Sequence, residues 1–282
     1  MINKKVLTIQ DISCVGQCSI TVALPIISAC GIETSILPSA VLSTHTAGFK
    51  GYTYHDLTED FPGILNHWIK EGIRFDCFYT GYLGSSKQID YVKQIIEHTR
   101  KDTSMVVVDP AMGDLGRLYP GFDEIYVNKM KELVSVADVV LPNLTEACFL
   151  TGTTYTENYK EEYILQLCEK LRSLGCDSVV LTGVSFKPGH TGVFVMSGGE
   201  TYYYEHMKYE RNCHGTGDVY AATFTGAMMC GCSMNDSAKI AADYTVKAIE
   251  NTYKDENHWY GVRFEGEIPY LIKMLSVTSK NT

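Results

Sequence analysis

The sequence predicts an α/β fold of three layers, a mostly parallel central sheet with helices on both faces. Three observations carry this. Short apolar runs alternate with longer amphipathic ones from end to end. Polar or Gly-rich turns follow the short runs, as they do at the strand ends of open parallel sheets. One antiparallel hairpin signal, Ser197-Gly198-Gly199-Glu200, comes late in the chain. With 282 residues, 45% of them apolar and 20% charged, the chain can bury a sizeable core. No Pro/Ser linker, charge block or internal repeat divides it, so one domain over residues 1–282 is expected.

Residues 5–9 form the first apolar strand, 11–17 a loop, and 19–29 a helix that contains Pro25 and ends at Gly31. The second strand is 32–37. Residues 41–55 are polar, Gly-bearing and aromatic, too long for a simple connector, and long loops of this kind are disproportionately functional. A helix over 57–71 closes at Gly72, a strand follows at 75–79, and Thr80-Gly81-Tyr82-Leu83-Gly84-Ser85 turns into a helix over 87–100. The strand at 105–108 stops at Asp109-Pro110, and 111–117 reads as a flexible segment. Then come a helix over 126–137, a strand at 138–141, a helix opening at Pro142-Asn143-Leu144-Thr145-Glu146, a helix over 159–174 and a strand at 178–181 ending at Thr182-Gly183. Hairpin strands at 192–196 and 201–204 precede helices over 219–230, 235–252 and 266–275.

Composition excludes several classes. The chain carries 24 basic against 33 acidic side chains, a net charge of −9, and no basic block, which argues against a nucleic-acid surface. No run reaches membrane-spanning length, and residues 1–9 are too short for a secretory leader. The ten cysteines are scattered through expected core positions such as Cys30, Cys77, Cys148, Cys168 and Cys176, without Cys-x-x-Cys pairs. That pattern predicts a reduced, soluble, cytoplasmic protein with neither a zinc site nor a disulfide framework.

The most informative stretch is Asn212-Cys213-His214-Gly215-Thr216-Gly217-Asp218, followed by an apolar helical run. Glycine lets backbone approach a ligand closely, and the free N–H groups of a first helical turn favour an anion. A carboxylate in that turn, Asp218, could deprotonate a hydroxyl beside the captured anion. An ordinary loop ending in an Asp N-cap looks the same, so the rest of the chain has to decide. Walker-type, dinucleotide, zinc-protease and serine-elbow motifs are all absent, and the eight histidines show no metal spacing. Five strand ends, at 11–17, 81–85, 109–117, 143–146 and 182–184, converge on one sheet edge together with the glycine motif. Asp109, Asp114, Glu146 and Asp218 put four carboxylates there, a set that suits Mg²⁺ shared with substrate phosphates. Taken singly, Asp109 is also what starts a turn before Pro110, and Glu146 is an ordinary first-turn acid. Taken together, the residues point to phosphoryl transfer onto an alcohol.

Gly215-Thr216-Gly217-Asp218, Thr80-Gly81-Tyr82, Asp109-Pro110 with Gly113-Asp114, and Pro142-Asn143 with Glu146 resemble the ribokinase-like kinases. Among these the chain is similar to the pyridoxal/pyridoxamine (vitamin B6) kinases, whose substrate loop looks like Ser43-Thr44-His45-Thr46-Ala47-Gly48-Phe49. The resemblance covers nearly the whole chain in the same motif order. It implies phosphorylation of the 5'-hydroxymethyl group of pyridoxal, pyridoxine or pyridoxamine, in the salvage that yields pyridoxal 5'-phosphate. It also implies ATP, Mg²⁺, a monovalent cation such as K⁺ as a further candidate, and a homodimer, which nothing in the composition shows.

Under that resemblance Asp218 is the base, and the amides of Gly215, Thr216 and Gly217 stabilise the transferred phosphoryl group. Asp109 and Glu146 organise Mg²⁺, directly or through water. Asn143 supports the phosphates, Thr182 contacts ATP phosphate, Asp114 lies on a loop closing over the nucleotide, and Glu146 borders the nucleotide as well. Ser13, Thr46 and Tyr82 are the candidates for the pyridine ring, with His45 on the same loop as Thr46. Vitamin B6 kinases commonly carry Gln-Ser-His after the first strand, where this chain has Gln10-Asp11-Ile12-Ser13, so either Asp11 or Ser13 is the polar partner of the ring. A related branch that also phosphorylates hydroxymethylpyrimidine traps an aldehyde with a cysteine near the glycine motif, which singles out Cys213; a small buried side chain is the alternative. His45 and His214 read as loop hydrogen-bonders, and Trp259, Tyr260, Tyr202, Tyr203, Tyr204 and Tyr209 as packing residues. A hydroxymethylpyrimidine kinase on the same fold is the nearest rival, although Gly16-Gln17 is only a partial echo of that branch's glycine run. A non-catalytic B6- or nucleotide-binding protein is the remaining alternative.

Overall fold

The computed structural model describes residues 4–209 and 213–278; Asn212, the first residue of the glycine stretch, lies outside the described residues. The strands are β1 (Lys5–Ser13), β2 (Glu33–Leu42), β3 (Tyr54–Asp56), β4 (Phe75–Thr80), β5 (Arg100–Val108), β6 (Gly113–Asp114), β7 (Arg117–Leu118), β8 (Val139–Val140), β9 (Ser178–Val184), β10 (His190–Ser197) and β11 (Glu200–Met207). The helices are α1 (Ile20–Ala29), α2 (Phe61–Lys70), α3 (Ser86–Thr99), α4 (Glu124–Val134), α5 (Leu144–Thr151), α6 (Glu161–Arg172), α7 (Thr216–Met229), α8 (Met234–Tyr253) and α9 (Ile268–Thr278).

Nine strands form one sheet in the order β11-β10-β9-β8-β5-β4-β1-β2-β3. The six from β9 to β2 are parallel, while β3 and the β10–β11 hairpin are antiparallel additions at the two edges. Along the strands, side chains alternate between two cores, as the two-residue period requires. Leu7, Ile9, Val106, Val108 and Leu181 pack with α2 to α6 on one face. Val6, Cys77, Tyr79, Val107 and Val180 pack with α1 and α7 to α9 on the other. These are the three layers the alternation predicts. From β1 the chain builds first toward β2 and β3, then crosses to β4 and builds the other way, so the strand order reverses between β1 and β4. Open α/β sheets place ligands at such a switch point.

Several boundaries differ from the sequence expectation. Asp11 and Ser13, expected in a loop, belong to β1, because the backbone ladder to β2 continues through Ile12–Val41 and Ser13–Leu42. Apolar periodicity stops at Ile9, but backbone pairing does not need apolar side chains when polar ones are satisfied locally. Gln10 Nε2 donates to Thr8 Oγ1 at 2.7 Å, and Ser13 Oγ to Asp11 at 3.0 Å. β2 likewise runs to Leu42 through Pro38, which sits where the pairing shifts register, the kind of place a strand tolerates proline. The expected loop at 41–55 holds the edge strand β3. The helix expected from Leu57 begins at Phe61, after a short 3-10 turn (Thr58–Asp60).

The segment at 111–117, expected to be flexible, forms the β6–β7 hairpin. It is pinned by Asn143 Nδ2 donating to Gly113 O at 2.8 Å and by Gly116 N–H donating to Thr145 Oγ1 at 2.9 Å. α7 begins at Thr216, three residues before its apolar run, so the glycine motif itself is its first turn.

Candidate active site

The exits of the parallel strands are joined to one another by backbone hydrogen bonds. Gly81 N–H reaches Ile9 O at 3.1 Å, Asp109 N–H reaches Thr80 O at 3.0 Å, Leu141 N–H reaches Val108 O at 2.8 Å, and Thr182 N–H reaches Pro142 O at 2.9 Å. The turns expected to converge therefore leave from one continuous edge. At Gly81 a side chain would collide with Gln10 Oε1, which is why the turn after β4 opens with glycine.

Above this edge stands the first turn of α7. Gly215 is its N-cap with φ +83°, a left-handed conformation that favours glycine, and a Cβ there would collide with the Gln17 carbonyl. Intrahelical bonding starts with Val219 N–H to Gly215 O at 3.0 Å. The earlier N–H groups of the turn have no partner within the helix. Gly217 is exposed, and a Cβ built on it would meet nothing within 4 Å. Open space lies against bare backbone there, at the positive end of a helix of 14 residues.

Asp218 lies in that same turn. Burial and the neighbouring Asp109 raise its pKa to about 8, Asp11 adds to the rise, and the Ser19 backbone N–H pulls the other way. Partly exposed yet near two other carboxylates, it is a carboxyl that exchanges its proton near neutrality. Asp109, partly exposed at the exit of β5, is held well above the usual carboxylate range by burial and by Glu146. Its Oδ1 accepts Ala111 N–H at 3.1 Å, and Ala111 has φ +37°, a strained value for a non-glycine residue.

Glu146 has little exposure, and burial raises it to about 7 against the pull of backbone N–H groups. It completes a capping box on α5. Its Oε2 accepts Asn143 N–H at 2.8 Å, and Asn143 Oδ1 accepts Glu146 N–H at 3.0 Å. Its Oε1 accepts Met112 N–H at 3.0 Å, so both carboxylate oxygens serve the backbone. Asn143 and Thr182 form a parallel bridge at the exits of β8 and β9. Asp114 is exposed on the β6–β7 hairpin, where its Oδ1 accepts Leu115 N–H at 2.8 Å. Among the described residues, no group of three or more His, Cys, Asp or Glu side chains is arranged to hold a metal.

On the other side of the switch point, Asp11 is buried, and its two oxygens accept the hydroxyls of Ser13 at 3.0 Å and Ser19 at 2.5 Å. Burial raises its pKa against those bonds. Tyr82 is half-buried, with Phe122 tilted at 5.5 Å, and its hydroxyl is pushed up first by burial and then by Tyr54 and Asp11. His45 is a buried anchor. Its Nδ1 accepts Ala47 N–H at 3.1 Å, so Nε2 carries the proton it donates to Tyr260 O at 2.9 Å. Thr46 beside it is exposed. The His45 ring lies 5.6 Å from His214, whose pKa burial and His45 lower, so the long loop rests against the entry to α7. Cys213 is half-buried against the core beneath α7.

Ser19 was invisible as a site residue in the sequence. A serine before an apolar helical run reads as an N-cap, but its hydroxyl caps nothing. It goes to Asp11, while its backbone, at φ +55°, presents an N–H toward Asp218. Trp259 and Tyr260, read as packing residues, do pack, and what they pack on is the long loop. Trp259 packs tilted against Phe49, ring centres 4.7 Å apart, and a side chain on Gly48 would press on its indole at 2.9 Å.

Known proteins share sequence and fold with this chain. The model of the phosphomethylpyrimidine kinase family matches residues 25–262. A Bacteroides thetaiotaomicron protein, solved as a candidate phosphomethylpyrimidine kinase, is 34% identical with a TM-score of 0.93, over 96% of this chain and 94% of that one. A second crystal form of it contains pyridoxal. Pyridoxal kinase from Lactobacillus plantarum is 30% identical with a TM-score of 0.89, over 96% and 97% of the two chains. Dictyostelium discoideum pyridoxal kinase is 28% identical over 198 residues, 68% of this chain and 64% of that protein, a little under two thirds of its length. This chain, a kinase that phosphorylates an alcohol, belongs to the phosphomethylpyrimidine kinase family, in the ribokinase-like fold it shares with the pyridoxal kinases.

Proposed function

We propose that the protein transfers the γ-phosphoryl group of ATP to the 5'-hydroxymethyl group of pyridoxal, pyridoxine or pyridoxamine. The observation that carries this is Asp218, raised to about 8 and sharing one helical turn with the open backbone of Gly217. Asp218 takes the hydroxymethyl proton, the alcohol oxygen attacks the γ-phosphorus, and ADP leaves. The N–H groups of Gly215, Thr216 and Gly217 meet the charge that develops on the transferred group. Thr182 and Asn143 face the nucleotide phosphates, and the hairpin bearing Asp114 covers the nucleotide. Tyr82 is the wall of the ring, Asp11 or Ser13 its polar partner, and Thr46 and His45 close the loop over it.

Mg²⁺ fits this set as an ion held mainly by phosphates and water with few carboxylates, the way proteins usually hold it. Asp109 is the carboxylate for it, since only one of its oxygens has a backbone partner. Glu146, with both oxygens on backbone N–H groups, acts through water and by holding the turn at Met112. When bound, the ion neutralises phosphate charge during transfer. A monovalent cation and a homodimer belong to the same proposal on the strength of the family resemblance, and a cytoplasmic location on the strength of the scattered cysteines.

Hydroxymethylpyrimidine is the second reading, favoured by the family whose model the chain matches. ATP consumption with Mg²⁺ against pyridoxal, pyridoxine, pyridoxamine and hydroxymethylpyrimidine separates the two. Turnover of a B6 vitamer supports the first reading, and turnover of the pyrimidine alone replaces it. Silence on all four, with binding retained, turns the site into a receptor.

A further inference from the structure

Gln88, in the first turn of α3, has no exposed surface. Nothing in the reaction uses it, yet its amide is fully engaged. Oε1 accepts Gly84 N–H at 2.7 Å. Nε2 faces three acceptors: Ser39 O at 2.9 Å, Thr58 Oγ1 at 2.8 Å and Asp56 Oδ1 at 3.2 Å. A donor N–H on one side and three oxygens on the other fix the amide orientation. Thr58 can accept because its own hydroxyl proton goes to Asp56 Oδ1 at 2.5 Å. One buried side chain thus ties β2, β3, the 3-10 turn before α2 and the turn after β4.

That last turn carries Tyr82, and it is held at both ends. Gln88 holds the Gly84 amide, and Ser39, whose carbonyl Gln88 also grips, donates its hydroxyl to Tyr82 O at 3.1 Å. Tyr54 of β3 lies directly over Gly84, where a side chain would collide with its hydroxyl. Burial raises the hydroxyls of both tyrosines and the charge of Asp11 adds to the rise in each, so both stand near Asp11. A shift of Gln88 therefore moves both tyrosines relative to Asp11.

We infer that Gln88 is a positioning residue: through Gly84 and Ser39 it sets where Tyr82 and Tyr54 stand, and so the affinity for the alcohol substrate, without touching that substrate. The inference rests on the reading of Tyr82 as the ring wall. It predicts a split between kinetic constants that a purely structural role does not produce.

The test is steady-state kinetics of Gln88→Leu, Ser39→Ala and the double variant, using whichever vitamer or pyrimidine the parent enzyme turns over best. Each single variant raises KM for that alcohol about five- to tenfold, the size of one net hydrogen bond. KM for ATP and kcat stay within about twofold, and the double variant is no worse than the worse single, as expected for residues in one network. Ser39→Ala removes one hydroxyl and leaves the backbone carbonyl that Gln88 uses, so it remains informative if Gln88→Leu does not fold. An unchanged alcohol KM in folded Ser39→Ala, or a fall in kcat and nucleotide affinity alongside it, overturns the inference. Tyr82→Leu distinguishes the two ways to fail. If it raises the alcohol KM while Ser39→Ala does not, the hub is wrong; if neither moves it, the ring-wall reading falls and the inference with it.

Discussion

The proposed anion cradle is made by the backbone of three consecutive residues, 215–217, with Asp218 next in the same turn, whereas the proposed ring wall is held by side chains far apart in the chain. Ser39 bonds Tyr82 across 43 positions, Gln88 reaches Ser39 across 49, and His45 reaches Tyr260 across 215. In the proposed cradle, glycine conformation and helix polarity would do the chemistry, and side-chain identity would matter at Asp218. At the proposed wall the reverse holds: recognition would lie in the tyrosines and Asp11, whose positions depend on buried networks. A local device tolerates change everywhere except within itself. A distributed one is sensitive at positions that never touch a ligand.

The largest expected effect breaks the cradle at its one acidic side chain. Asp218→Asn lowers kcat by roughly 10²–10⁴-fold, the usual contribution of a general base, while isothermal titration still detects substrate binding. The two glycines then sharpen the distinction between backbone shape and backbone access. Gly215→Ala forces a side chain into a left-handed conformation and against the Gln17 carbonyl, so it costs about 1–3 kcal/mol and lowers the melting temperature. Gly217→Ala meets no neighbour within 4 Å, so the melting temperature holds while nucleotide KM rises. Equal melting losses in both would show that Gly217 serves the fold alone.

The pH dependence probes the cradle next. With the base at about 8, kcat/KM of the enzyme rises with pH up to that value, about tenfold per unit below it, and Asp218→Asn removes this limb. Stability moves the other way. The unfolded carboxyl titrates near ~4, so between ~4 and about 8 the folded protein keeps a proton that the unfolded chain has released, and stability falls as pH rises through that window. Asp218→Asn therefore melts higher than the parent above pH 8, and the two converge below pH ~4 where both are neutral.

At the wall, Tyr82→Leu raises the KM for the alcohol roughly three- to tenfold, the scale of one aromatic contact, and leaves nucleotide KM alone. The smallest effect on turnover is expected at Glu146→Gln. It turns one of two backbone-facing oxygens into a donor and costs about 1–3 kcal/mol of stability. Its kcat falls less than that of Asp109→Asn, because Glu146 works mainly as a cap. A larger loss of kcat at Glu146 would move the metal-binding role from Asp109 to it.

By itself the sequence determined the layers and the glycine-rich helix N-terminus with its acid, because both are local. Alternating short and long apolar runs name strands and helices, and Gly-x-Gly-Asp before an apolar run names a helix N-terminus with its acid. It also determined which strand exits carry polar turns, and hence the edge on which the site stands. Tertiary structure alone decided that β1 carries Asp11 and Ser13 as strand residues, because the ladder to β2 continues past the last apolar residue. It decided that the hydroxyl of Ser19 leaves its helix for Asp11, that Gln88 is buried and bonded to four segments, and that Trp259 closes on Phe49. In each case a polar or aromatic side chain is satisfied by a partner brought close by sheet order, and periodicity along the chain holds no record of that partner.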